Sequence, residues 1–298
     1  MVSREEYREM IKIGRAHITS KKYKKALRIF EKAIKFDESL LDGWIWKGRT
    51  LSKMRQFDQA LGSNDILLSK KPLSIVAWEE RIDIFAEMYN HIEVISCCDK
   101  LLDIIQSKKN YSLLTGRHYK NMLIYKMSAL SKLGNLDEAK ILAKNAVKSF
   151  PTDNQILKNC AAIYESSQEF EMAIKLLDSA IENSNYSNWR YYYQKGMNLC
   201  YLQKYAEARK TFQHALDHME CIDEGERLWL MLGVTTMKTD HDLYSAIDCF
   251  EKALNLNPNY IRAYENKAHA LETLGYFDEA KICYRLADEK SSRDLTFV

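Results

Sequence analysis

Two histidines form the best candidate for a chemical site. His214 and His218 are four residues apart, which places them on one face of a helix, and Glu220 and Cys221 follow closely. Imidazole, thiolate and carboxylate groups are the ligands that zinc prefers in proteins. A solvent-facing pair of histidines accounts for the same spacing without a metal. We favour that interpretation, so the sequence predicts neither a metal site nor a cofactor.

The motifs of the common catalytic sites are missing from the sequence. It contains no glycine-rich phosphate loop, no Gly-x-Ser-x-Gly motif and no His-Glu-x-x-His motif. The 18 tyrosines and 5 tryptophans would offer stacking surfaces for nucleic-acid bases, but they also suit the packing of helices. We therefore predict that the protein is not an enzyme and that its function depends on binding surfaces.

The charge is unevenly distributed along the chain. The 298 residues include 44 Lys and Arg and 41 Asp and Glu, for a net charge of +3. Residues 1–56 hold 15 basic and 7 acidic residues, a net charge of +8, so the remainder carries −5. The average charge therefore indicates no special affinity for nucleic acid, whereas the N-terminal part alone is basic.

Cysteine usage indicates a reducing compartment. The seven cysteines are an odd number, Cys97 and Cys98 are adjacent, and no Cys-x-x-Cys spacing occurs. Residues 1–7 lack the apolar segment of a signal peptide, and no run approaches the roughly 20 apolar residues that span a bilayer. We expect a soluble cytoplasmic protein that is not inserted in a membrane.

An amphipathic helix pattern recurs along the chain. In Ala246–Pro258 the apolar residues follow steps of three and four, and an Asn-Pro pair ends the helix. A similar residue pattern occurs in Ala26–Ile34 and Ala208–Leu216. The repeats are 34 to 37 residues apart, except for one step of 45. They begin near Tyr7, Leu41, Ile75, Lys120, Asn154, Trp189, Glu226 and Ile261.

The rarest residues keep the same repeat register. The three prolines all fall just after the second helix of a repeat: Pro72, Pro151 and Pro258. Proline at this position prevents the helix from continuing. Four glycines share a register inside the first helix: Gly14, Gly48, Gly196 and Gly233. Glycine inside a helix costs roughly 0.5–1 kcal/mol relative to alanine, so we expect a close approach between helices there.

The motif residues resemble those of the tetratricopeptide repeat family over nearly the whole chain. Trp44–Gly48 and Trp229–Gly233 share the pattern Trp-x-x-x-Gly, and the second of these precedes Ala246, Phe250 and Ala253. The resemblance implies an all-α fold, a right-handed superhelical α-solenoid of about eight tandem helix pairs. We expect a single solenoid over residues 1–298.

Two near copies mark the turn inside a repeat. Leu133–Ala139 and Leu274–Ala280 both place a glycine after a leucine, where glycine supplies the left-handed conformation that ends the first helix. The third repeat departs from the pattern, with Val94, Cys98 and Leu101 at the positions of Ala, Phe and Ala. An insertion at 109–119 follows it, between blocks 1–108 and 120–298, as a kink, a loop or a longer hairpin.

The family resemblance also implies a binding surface. In tetratricopeptide proteins the first helices line a concave groove that binds segments of partner proteins. We therefore predict a non-catalytic scaffold or adaptor for a protein or peptide partner, and neither the partner nor the oligomeric state follows from the sequence. The candidate residues are Arg8, Lys12, Arg15, Trp46, Arg49, Lys53, Glu79, Glu80, Asp83, Tyr125, Lys158, Asn159, Tyr193 and Gln194. The alternative is RNA or another polyanion bound by the basic N-terminal repeats.

The repeat model predicts the effect of enlarging its small residues. Ala208 and Ala246 occupy the register at which the second helix approaches the first. Replacing either alanine by leucine should lower the free energy of unfolding by about 1–3 kcal/mol, because added methylenes overpack a filled contact. Thermal unfolding measures the effect, and unchanged melting of both variants would contradict the predicted packing.

Overall fold

The computed structural model describes residues 4–107, 113–219, 225–239 and 242–294. Those residues form sixteen helices and no strand. In chain order the helices are α1 (Arg4–Thr19), α2 (Tyr23–Phe36), α3 (Leu41–Lys53), α4 (Phe57–Lys70), α5 (Ile75–Glu87), α6 (His91–Ser107), α7 (Leu113–Lys132), α8 (Leu136–Ser149), α9 (Asn154–Ser166), α10 (Phe170–Asn183), α11 (Trp189–Tyr201), α12 (Tyr205–Asp217), α13 (Glu226–Thr239), α14 (Leu243–Leu256), α15 (Ile261–Thr273) and α16 (Phe277–Asp294).

Inside each compact unit the helices stack as successive pairs, which confirms the predicted all-α solenoid of tandem repeats. Contacts between residues divide the chain into two compact units, unit 1 (1–146) and unit 2 (147–298). Within each unit, the second helix of one pair packs on the first helix of the next. Within the described ranges, every helix is too short or too polar to span a lipid bilayer.

The turn inside each repeat uses one backbone conformation. The middle turn residue has positive φ in seven repeats: Lys21, Arg55, Tyr89, Gly134, Gln168, Gln203 and Gly275. The two glycines have φ of 81° and 86°, as predicted for this position. The other five residues have φ between 55° and 59°, where an L-residue is strained. Because the same turn closes repeats with and without glycine, helix packing rather than the turn residue decides the conformation.

In the first, sixth and seventh repeats, the core contains a contact between a glycine in the first helix and a phenylalanine in the second. Phe212 and Phe250 are fully buried. A Cβ atom on Gly196 or Gly233 would lie 2.5 Å from the ring of the facing phenylalanine, far inside contact distance. The same contact joins Gly14 to Phe30. The close approach expected from the sequence is therefore made by an aromatic ring that lies on the bare backbone of the neighbouring helix.

The second repeat lacks this contact. Its position for phenylalanine is occupied by Asn64, and a Cβ atom on Gly48 would have no neighbour closer than 3.7 Å. The Asn64 amide instead donates to the Ala77 carbonyl oxygen at 2.7 Å and accepts from Arg81 at 3.2 Å. Asn64 thus links α4 to the first helix of the next repeat, α5, and close packing does not explain Gly48.

The third repeat keeps a buried core with different side chains. Val94, Cys98 and Leu101 are all at most 1% exposed, so they fill the positions of Ala, Phe and Ala. The helices that flank the insertion are long, with 17 residues in α6 and 20 in α7. Of the insertion predicted at 109–119, residues 113–119 extend α7 and residues 108–112 lie outside the described residues. The described part is therefore a longer helix rather than a loop.

The glycine contact can be tested with a matched pair of substitutions. Gly233→Ala should lower the free energy of unfolding by about 1–3 kcal/mol, because its methyl group would overlap the Phe250 ring. Gly62→Ala should raise it by roughly 0.5–1 kcal/mol, since Gly62 is helical and faces open space. Chemical denaturation of both variants measures this, and a shift of the same sign for both would contradict the assignment.

Candidate functional site

A groove of about 650 Å³ lies among the helices of unit 1, and we call it the Trp46 groove. A cavity of about 390 Å³ beside it shares Arg49, Glu80, Asp83 and Tyr125 with the groove. The groove is lined by Ile18, Trp46, Arg49, Ser52, Lys53, Glu80, Asp83, Ile84, Ala86, Glu87, Tyr89 and Tyr125. Most of its polar side chains come from α3 and α5.

Helix periodicity and the repeat length bring these side chains together. On α3, Trp46, Arg49 and Lys53 follow steps of three and four, so they share one face of the helix. On α5, Glu80, Asp83 and Glu87 follow the same steps. First helices of neighbouring repeats pack against each other in unit 1. The two faces therefore line the groove side by side.

Contacts between neighbouring first helices form a diagonal series. The Arg15 guanidinium lies 4.8 Å from the centre of the Trp46 ring. Arg49 donates from Nε to Glu80 at 2.5 Å, and Tyr125 donates to Asp83 at 2.5 Å. In each contact, the residue of the earlier first helix lies one helical turn further along its own helix than its partner does along the next first helix. We call these three contacts the first-helix ladder.

The basic and acidic residues of the groove are largely paired with each other. Arg49 also lies 4.7 Å from the Trp46 ring centre, so one guanidinium joins an aromatic ring and a buried carboxylate. Glu80 is only 5% exposed. Glu87 accepts from Lys53 at 2.8 Å and from Ser52 at 2.6 Å. Arg49 and Lys53 are therefore neutralised within unit 1 by the acidic residues of the third repeat.

Asp83 differs from the other two carboxylates of the groove. It accepts from the Tyr125 hydroxyl, but among the described residues no Lys, Arg or His nitrogen lies within 4.0 Å of it. Burial raises the pKa of Asp83, and nearby Glu87 adds to this, while the Tyr125 hydrogen bond and the charge of Arg49 oppose it. Asp83 is thus a partly buried carboxylate that lacks a paired cation.

The other predicted residues of unit 1 lie outside the Trp46 groove. Arg8, Lys12 and Arg15 are exposed on α1, and Lys12 lies 3.7 Å from Glu9 on the same helix. Glu79 faces the neighbouring cavity and contacts Nδ1 of His118 at 2.6 Å. The prediction that these residues bind a partner stays a prediction, and six of the ten predicted in unit 1 line the Trp46 groove.

The predicted residues of unit 2 are more scattered. Lys158 is exposed, Asn159 donates to a carbonyl oxygen of its own helix, and Tyr193 lies against Phe212 with ring centres 6.0 Å apart. Gln194 lines a cavity of about 530 Å³, together with Asn198 and others. Its side-chain oxygen is buried and has no hydrogen-bond donor among the described residues.

Sequence reasoning missed several side chains that line these cavities. Tyr89 is 75% exposed and lies at the left-handed turn position between α5 and α6. The equivalent turn residues are Lys, Arg, Gln or Gly, so an aromatic residue there was the available signal. In unit 2, Phe170 and the 63% exposed Tyr201 stack with ring centres 4.8 Å apart beside Gln194. Nothing about their positions in the repeat marked Phe170 and Tyr201 as cavity-lining residues in the sequence.

The histidine pair has a packing role. The rings of His214 and His218 both stack on Tyr192, with centres 6.0 and 5.7 Å from its ring. Glu220 and Cys221 lie outside the described residues. Within the described ranges no three His, Cys, Asp or Glu residues are grouped to hold a metal. The six described cysteines are not in disulfides, and burial raises the pKa of Cys97 to about 11 and of Cys160 to about 12.

Comparison with known proteins agrees with the repeat register. A family model described as tetratricopeptide repeat matches residues 10–40, 226–260 and 261–289. These stretches coincide with helix pairs of the structure. The chain contains tetratricopeptide repeats. An uncharacterized protein of Methanocaldococcus jannaschii is 46% identical over 43 residues, which cover 14% of this chain. The match spans 50% of the length of that relative.

Solved structures share the tetratricopeptide fold at low sequence identity. A tetratricopeptide repeat protein from Parabacteroides merdae matches 89% of this chain and 98% of its own, with a TM-score of 0.58 and 14% identity. The structure of BtubC from P. vanneervenii matches 70% and 93%, with a TM-score of 0.59 and 14% identity. The structure of Cut9–Hcn1 matches 95% and 53%, with a TM-score of 0.54 and 14% identity. These likenesses concern the fold.

The uncompensated carboxylate of Asp83 predicts a pH-dependent stability for the repeats of unit 1. A raised pKa means that the folded state holds the proton more tightly than the unfolded state. The resulting stability is present below the ordinary value of 3.8 and is lost as pH rises through the folded pKa. Asp83→Asn mimics the protonated form, so it should melt higher than the natural protein at neutral pH and equally in acid.

The measurement is a series of thermal melts from pH 3 to pH 7. Asp103→Asn is the matched control, because Asp103 is an exposed aspartate of α6 that lines neither unit 1 cavity. A melting temperature of Asp83→Asn below that of the natural protein at neutral pH would contradict the prediction.

Proposed function

We propose that the chain is a non-catalytic adaptor that binds a segment of a partner protein in the Trp46 groove. The observation that carries this proposal is an open groove of about 650 Å³ lined by Trp46, Tyr89 and Tyr125. Tryptophan and tyrosine are enriched among the residues that dominate binding energy at protein interfaces. Volumes of this size also accommodate several side chains of a peptide.

The polar groups of the groove support binding by side chains rather than catalysis. Arg49 and Lys53 are paired with carboxylates of α5, so these ion pairs join the two helices that line the groove. The buried thiols have raised pKa values and are poor nucleophiles. Reduced, buried cysteines also fit a cytoplasmic location. The remaining hydrogen-bonding and aromatic groups would fix the direction of a bound segment.

The alternative function is the binding of RNA or another polyanion by the basic N-terminal repeats. One observation favours it: Arg15 and the cluster Lys21, Lys22, Lys24 and Lys25 are exposed, and none has a carboxylate within 4.0 Å among the described residues. Pairing of Arg49 and Lys53 opposes it, because a polyanion would compete with Glu80 and Glu87 for them. We therefore rank protein binding first.

A pair of tyrosine substitutions tests the adaptor function. Tyr89→Asn removes an aromatic side chain at the groove, and Tyr186→Asn removes one that is 53% exposed in unit 2. Both residues have positive φ, which asparagine tolerates, so the two variants should fold equally well. Affinity capture from cell lysate should recover partner protein about fivefold less with Tyr89→Asn and unchanged with Tyr186→Asn.

The same capture, repeated after nuclease treatment, separates the two functions. Partners that persist after nuclease and decrease with Tyr89→Asn support the adaptor. Partners that disappear with nuclease, while Tyr89→Asn has no effect, support the polyanion alternative and overturn our proposal.

A further inference from the structure

We propose that the Trp46 groove receives a Lys or Arg side chain of the partner segment, whose cation pairs with the carboxylate of Asp83. This inference rests on the proposed adaptor function and specifies the chemistry of the segment. The juxtaposition that carries it is a partly buried, unpaired carboxylate in a groove walled by aromatic and aliphatic side chains.

The charges that line the groove do not balance. Two cations, Arg49 and Lys53, face three carboxylates. Arg49 pairs with Glu80, and Lys53 pairs with Glu87. Asp83 is left with a neutral donor, the Tyr125 hydroxyl. The lining of the Trp46 groove therefore carries one negative charge that has no counterion in it.

The first-helix ladder shows which kind of group is missing. Its second contact joins a guanidinium to a carboxylate, Arg49 to Glu80, across neighbouring first helices. Its third contact places Asp83 where Arg49 stands in the previous repeat, and the next helix presents Tyr125. A carboxylate accepts several hydrogen bonds at once, so Asp83 can bind a cation while it keeps the bond from Tyr125.

The walls of the groove suit the aliphatic stem of Lys or Arg. Ile18, Ile84 and Ala86 line it together with the aromatic side chains. Long basic side chains pack their methylene groups along apolar surface and keep the charged end at a polar partner. A cation near an aromatic face gains further attraction, which Tyr89 and Tyr125 can supply. One side chain would thus satisfy both the apolar walls and Asp83.

An acidic side chain fits the same place poorly. It would approach Asp83 and the neighbouring carboxylates Glu80 and Glu87. The two cations of the lining, Arg49 and Lys53, are already paired with Glu80 and Glu87, so they are not available to the incoming acid. Arg15 contacts the Trp46 ring but does not itself line the groove. Charge complementarity therefore favours a basic segment over an acidic one.

Peptide selection followed by a double-mutant cycle tests the inference. A phage library of random 12-residue peptides is selected on the full chain, and the enriched peptides are synthesised with a fluorescent label. Each Lys is then replaced by Gln, or each Arg by its neutral analogue citrulline. Fluorescence anisotropy gives the dissociation constants for the natural protein, for Asp83→Asn and for the control Asp103→Asn. Asp83→Asn keeps an acceptor for the Tyr125 hydroxyl, so the groove should remain folded.

The expected result is that enriched peptides contain a basic residue, and that neutralising it weakens binding about tenfold to the natural protein and to Asp103→Asn. With Asp83→Asn the same peptide change should alter binding less than about twofold, because its partner is gone. Binding should also weaken as salt is raised.

The other outcomes distinguish the inference from the function on which it rests. Peptides that lose affinity with Tyr89→Asn but need no basic residue, or are indifferent to Asp83→Asn, would overturn the Asp83 pairing and leave the adaptor function standing. A selection that enriches no peptide, or only peptides indifferent to Tyr89→Asn, would count against both.

Discussion

The contact between a bare helix backbone and an aromatic ring is the constraint on which the first, sixth and seventh repeats depend. Where Phe30, Phe212 or Phe250 lies on a glycine of the first helix, the two helices of a repeat approach within the thickness of a ring. Any side chain at the glycine would collide with it. This contact sets the spacing of the pair, and the spacing in turn sets where the first helix of the next repeat can pack.

The regular spacing of the repeats brings residues that are far apart in the sequence together on one surface. Because neighbouring first helices of unit 1 lie side by side, residues of one repeat meet residues of the next across a short gap. Arg49 thereby meets Glu80, and Asp83 meets Tyr125. The second and third repeats lack the phenylalanine contact and carry Asn64 and Cys98 at that position instead. These two repeats supply most of the residues that line the Trp46 groove.

The groove balances two opposing demands. Ion pairs such as Arg49–Glu80 satisfy charges that burial would otherwise make costly, and they hold long side chains in one arrangement. Asp83 is an exception, since its hydrogen-bond donor is neutral and burial raises its pKa. A carboxylate kept in this state reduces the stability of the free protein, as is common where a site is prepared for a ligand.

The sequence by itself determined the repeat, its register and the face on which candidate residues lie, because helix periodicity and a fixed repeat length act locally along the chain. It also placed the left-handed turn at Gly134 and Gly275, whereas the same turn at Tyr89 was not predictable from residue type. Only the tertiary structure decided that the basic and acidic patches neutralise each other and that Asp83 is left over. The reason is physical: an ion pair depends on distances of a few ångströms between side chains of different helices, and repeat spacing does not specify these distances.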